Sequence, residues 1–167
     1  RHRAWMGGLP RQLHLELPDR RRLAVLHGGA SEISRFLFGS TPEPVLLEEL
    51  AETGCQGVIA GHCGIPFARR LNGAGLWVNA GAIGMPADDG TPRSWFTLLT
   101  PSARSLTVEI LPLNYDHAAA AAAMRAAALP EGYAAGLETG LWPSCDVLPS
   151  VELAGRGRAL EPVRLVW

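Results

Sequence analysis

Three short apolar runs each end in a polar side chain and then glycine. Residues 23–26 lead into His27-Gly28-Gly29, residues 58–60 into Gly61-His62-Cys63-Gly64, and residues 76–78 into Asn79-Ala80-Gly81. Neutral imidazole is the commonest metal ligand, and a divalent ion needs several such groups converging from separate strands. Strand ends meet that need, because a rigid sheet holds the side chains while glycine lets backbone or substrate approach closely. His27 and His62 are therefore the candidate metal ligands. His14 and His117 read as structural, one within a strand and the other in the first turn of a helix. Cys63 invites a nucleophile reading, but neighbours on a strand point to opposite faces, so His62 is badly placed to serve it. A packing thiol is the simpler account. No G-x-x-x-x-G-K-[ST], G-x-G-x-x-G or G-x-S-x-G string is present, which argues against a P-loop, a Rossmann turn and a nucleophile elbow.

The elements that must position these residues follow from periodicity. Residues 12–17 alternate, with Leu13, Leu15 and Leu17 on one face, as in a half-buried strand. Pro18-Asp19 and Arg20, Arg21 and Arg22 form a solvated turn, and residues 23–27 return as a fully apolar strand. Thr41-Pro42-Glu43 reads as an N-cap, a proline at the first helical position and an acid in the first turn. Leu46, Leu47 and Leu50 supply that helix's buried stripe, and Gly54 ends it. Asn72-Gly73 marks a hairpin, and residues 95–99 pair with 106–111 as a second one.

At Pro112 the composition changes, so residues 1–112 form one unit and 113–167 a helical extension with a tail. Asp116 caps a helix over 117–129 that packs an alanine face on the core, and 131–139 form a second short helix. Residues 141–167 are expected to run as an extended wrapping tail anchored by Trp142, Leu148 and Trp167.

Of the 167 residues, 47% are hydrophobic, enough to bury a real core. A net charge of −1 argues against a nucleic-acid surface, and all 15 basic residues are arginine, a coding bias. Three cysteines without C-x-x-C spacing argue against a disulfide framework or a structural zinc knot and point to a reducing cytoplasm. The longest apolar run, 118–129, is alanine-rich and broken by Arg125, as in a soluble helix with no membrane partner.

The strings Leu26-His27-Gly28, Gly61-His62-Cys63-Gly64 and Asn79-Ala80-Gly81-Ala82 resemble, in order and spacing, the second half of the calcineurin-like metallophosphoesterases. Ile83-Gly84-Met85-Pro86 and Gly90-Thr91-Pro92-Arg93 resemble that family's continuation, so the match covers roughly residues 10–111. The resemblance implies an α+β fold, part of a four-layer α/β/β/α sandwich to which this chain contributes one sheet and its covering helix. It further implies that His27 and His62 bind the same one of two divalent ions (Mn, Fe or Zn). Asn79 would orient its loop, and Cys63, Asn79 and Arg93 would lie near substrate or behind the ligands. The implied activity is hydrolysis of a phosphoester small molecule or nucleotide; the alternative is a catalytically silent relative that binds small molecules or regulates.

Two departures accompany the resemblance. Gly64 stands where the family has its second histidine, so the other metal loses a donor, and Gly64→His is expected to raise its occupancy. The D-x-H, G-D and G-N-H-[DE] strings that supply the remaining ligands are absent. With Arg1 at the start, that leads to the expectation of the C-terminal part of a longer protein.

Overall fold

Strand β1 (Gln12–Glu16) and strand β2 (Arg22–Leu26) form an antiparallel hairpin in the computed structural model, which describes residues 2–167. The arginines of the turn are spent internally. Arg20 pairs with Glu16, Arg21 with Asp19, and Arg22 Nη2 donates to the Gly54 carbonyl at 2.7 Å. β1 is an edge strand beyond the reach of the covering layers. Its face departs from the expected half-burial: Leu13 and Leu15 stay exposed, and Leu17, just past the strand, enters the core. Before the hairpin, the short helix α1 (His2–Gly7) carries no buried residue.

After β2 the chain loops to helix α2 (Glu43–Thr53), whose Leu46 and Leu50 pack on the sheet. Its N-cap is Pro42, not Thr41; the Thr41 hydroxyl accepts instead from the Phe38 N–H at 2.8 Å. Pro44 contributes to this, since it removes the N3 backbone donor that a Thr41 cap could otherwise satisfy. Gly54 ends the helix in the left-handed conformation, as expected. Strands β3 (Gly57–Ala60), β4 (Phe67–Leu71) and β5 (Gly75–Asn79) complete a five-stranded sheet of order β1-β2-β3-β5-β4. β2, β3 and β5 run parallel, and the β4–β5 hairpin turns at Asn72–Ala74.

Strands β6 (Ser94–Pro101) and β7 (Leu106–Leu113) pair antiparallel in a second sheet. The chain thus contributes two sheets, correcting the expected one. Both are needed because α2 covers only one face of the first. The other face buries Leu23, Leu76 and Val78 against Leu106, Val108 and Trp167. The layers are helix, sheet, sheet, in the mixed α+β arrangement expected.

Helix α3 (His117–Ala126) is capped by Asp116, whose Oδ1 accepts from the Ala119 N–H at 2.9 Å. It stops short of residue 129, where Ala128 turns to a φ of 52° ahead of Pro130. Its alanine face packs on helix α4 (Glu131–Thr139), around Ala121, Ala134 and Leu137, and not on the sheet core. Small side chains fit a close helix pair better than a sheet lined with large residues. The tail also exceeds expectation. It forms a short helix α5 (Ser150–Leu153) and then strand β8 (Val163–Val166), which pairs antiparallel with β7 and satisfies that open edge. No helix among the described residues is long and apolar enough to cross a membrane.

Candidate functional site

The parallel register places Val25 beside Ile59 and Ala60 beside Asn79, so β2, β3 and β5 end at one edge of the sheet. His27, His62 and Asn79 stand at those three ends. The Gly61 N–H donates to the His27 carbonyl at 2.9 Å and ties the first two ends together. The imidazoles of His27 and His62 have centroids 4.6 Å apart and an interplanar angle of 58°. His62 is held at φ 64°, a left-handed conformation uncommon for a non-glycine residue and concentrated at functional sites. Its Nε2 is buried with no hydrogen-bond partner among the described residues. Burial first, and the neighbouring His27 second, lower its pKa below the usual 6.5 against an opposing contact from the Ser34 backbone. His62 is thereby kept in the neutral form that ligates metal.

Asn79 is a buried clamp behind this pair. Its Nδ2 donates to the Gly61 carbonyl at 2.6 Å and to Cys63 Sγ at 2.8 Å, while its Oδ1 accepts from the Gly81 N–H at 2.8 Å. One side chain thus fixes the loops after both β3 and β5. Burial pushes the Cys63 thiol up to about 12, and Sγ faces the Ile65 carbonyl at 3.4 Å. A fully protonated, fully packed thiol is no nucleophile at neutral pH. Arg93 lies apart from the histidines. It pairs with Asp89, donates to the Leu160 carbonyl and stacks 4.7 Å over Trp95.

Gly64 has a physical explanation. At φ 74°, a Cβ added there would lie 2.6 Å from Cζ2 of Trp142. The indole from the tail occupies the space a histidine would need, and no flexible chain end is there to yield. Gly64→His is therefore expected to displace Trp142 and strain the loop, which replaces the expectation of a simple gain in metal occupancy.

Three contributors were not singled out from sequence. Phe36 packs its ring 4.3 Å from that of His62. Glu49, buried on α2, accepts from the Ala30 and Ser31 N–H groups at 2.6 and 3.1 Å and pairs with Arg35, fixing the loop after His27. Trp142 was expected as an anchor, not as a wall of the site. Two adjacent imidazoles, with the His62 Nε2 buried and unpaired, suit one divalent ion as part of a ligand set. No group of three or more His, Cys, Asp or Glu side chains able to hold a metal occurs among the described residues.

No family model and no curated protein matches this sequence. Solved structures do. The hypothetical protein PH1004 from Pyrococcus horikoshii OT3 superposes with a TM-score of 0.69 at 18% identity, over 84% of this chain and 54% of that one. A metallophosphoesterase from Sphaerobacter thermophilus gives 0.68 at 21%, over 84% and 61%. Vps29 from Chaetomium thermophilum, bound to a cyclic peptide, gives 0.50 at 21%, over 64% and 54%. The chain has the metallophosphoesterase sandwich fold, and it spans 54% and 61% of the first two structures' lengths.

Proposed function

We propose that this chain supplies the histidine half of a calcineurin-like metallophosphoesterase site, with the carboxylate ligands coming from residues outside these 167. The observation that carries the reading is the His27–His62 pair, 4.6 Å apart at adjoining parallel strand ends. A bound divalent ion (Mn, Fe or Zn) would polarise the phosphoryl group and lower the pKa of a water for in-line attack. His27 and His62 would hold that ion. Asn79 keeps both loops in place through its hydrogen bonds to Gly61, Cys63 and Gly81. Phe36 shields one face of His62 from water. Substrate is a phosphoester small molecule.

A second reading draws on the Trp142 indole against Gly64, which closes the place of one metal donor. It makes the protein a catalytically silent small-molecule binder. Calorimetric titration of Mn²⁺ into the full-length protein, as wild type, His27→Ala and His62→Ala, with aryl phosphodiester hydrolysis followed in parallel, separates the two. The phosphoesterase reading expects turnover in the wild type and at least about tenfold weaker metal binding in each variant. Metal affinity unchanged in both variants would overturn it; binding without turnover would favour the silent relative.

A further inference from the structure

Beside His62 lies a cavity of about 300 Å³, walled by Phe36, Met85, Tyr133, Trp142, Pro143 and Val147. His62, Cys63 and Gly64 form its inner end, so it adjoins the candidate metal site at His62. The walls come from the loop after β2, the loop after β5, α4 and the tail, and only the inner end belongs to a strand end that carries a ligand. The geometry points to this cavity as the pocket for the organic group of the phosphoester, selecting a flat, uncharged ring such as an aryl group. The inference rests on the phosphoesterase reading above and extends it to the class of substrate.

Three observations carry it. No Asp, Glu, Lys or Arg lines the cavity, so no fixed positive charge there neutralises a second phosphate. Its volume sits at the low end of small-molecule sites, about 300–1,000 Å³, and fits a ring more readily than an extended polar chain. Its main wall is held rigid. The Trp142 N–H donates to Asp88 Oδ1 at 2.6 Å and its indole Nε1–H to the Pro86 carbonyl at 2.8 Å. Arg156 Nη2 donates to the Trp142 carbonyl at 3.0 Å. A fixed indole presents its surface with little ordering cost when a ring packs on it. Gly64 makes this possible, since only a residue without a Cβ lets the indole approach so closely. At this position the chain has an apolar wall where the resemblance implies a metal donor.

The test is calorimetry on the full-length protein with Mn²⁺, comparing phenylphosphonate with methylphosphonate, which share the phosphoryl group and differ only in phenyl against methyl. Phenylphosphonate is expected to bind about tenfold tighter. Val147→Asp, at the exposed rim of the pocket, introduces a charge without touching the core and is expected to collapse that ratio towards one. Trp142→Phe, which keeps a ring but loses the Pro86 hydrogen bond, is expected to reduce it by a few-fold; circular dichroism confirms that both variants are folded. Equal affinity for the two phosphonates, or a ratio unmoved by Val147→Asp, overturns the pocket and leaves the phosphoesterase reading standing. Binding of neither overturns both.

Discussion

Asn79 shows how much of the site depends on one uncharged side chain. It is 1% exposed and its two polar ends serve a carbonyl, a thiol and an amide N–H from different loops. Removing it leaves buried partners unsatisfied, so Asn79→Ala is expected to cost about 1–3 kcal/mol in urea unfolding and to weaken metal binding by loosening the His62 loop. Cys63 gives a second check at this scale. Its thiol, raised to about 12 by burial, carries almost no thiolate at pH 8. Iodoacetamide at that pH is therefore expected to leave Cys63 unmodified in the folded protein and to label it after denaturation. Peptide mass mapping reads the outcome, and rapid labelling in the native state would show that the loop opens.

Helix α2 does two jobs, covering the sheet with Leu46 and Leu50 and sending Glu49 beneath the loop that follows His27. That loop packs too tightly for a side chain at Gly29, where a Cβ would lie 2.8 Å from the Glu32 carbonyl. Burial alone would raise the Glu49 pKa; hydrogen bonds from Ser31, Ala30 and Arg35 outweigh it and hold the carboxyl below its ordinary 4.5. A depressed carboxylate contributes stability that is present above the unfolded value and lost as pH falls through the folded one. Glu49→Gln is thus expected to cost about 1–3 kcal/mol at pH 7. The variant should also lose less stability than the wild type as pH drops below about 4.5, where the unfolded carboxyl protonates. Urea unfolding at pH 7 and pH 3.5 measures both effects, and identical pH dependence in the two proteins would remove Glu49 from this role.

At the scale of the molecule, the two sheets are closed by Trp167. The Trp167 ring reaches within 3.3 Å of the position a Cβ on Gly57 would take, and its Nε1–H donates to the Ala74 carbonyl at 2.7 Å. The Arg21 guanidinium stacks over it at 3.8 Å. Its backbone exchanges hydrogen bonds with Leu106 at 2.7 and 2.8 Å, adding the tail to the second sheet. Trp167→Ala is expected to destabilise the chain by about 3–5 kcal/mol, measured by chemical denaturation, because it empties the layer between the sheets. A loss under 1 kcal/mol would mean that the sheets are held by Leu23, Leu76 and Val108 alone.

Short-range signals along the chain already specify the local elements and the ends of the strands. Periodicity, Gly54, Asn72-Gly73 and Asp116 placed α2, the three hairpins and α3 to within a few residues, since these signals act between near neighbours. They likewise put His27, His62 and Asn79 at strand ends, where each precedes a glycine by one or two positions. Which elements share a layer was decided only in three dimensions. The exposure of Leu13 and Leu15, the second sheet, the pairing of α3 with α4 and the return of β8 all depend on what lies opposite each face. The tertiary structure also decided the meaning of Gly64. Its left-handed backbone favours glycine locally, and an indole 78 positions further along the chain closes the site to any side chain, because the fold brings Trp142 into the space it would fill.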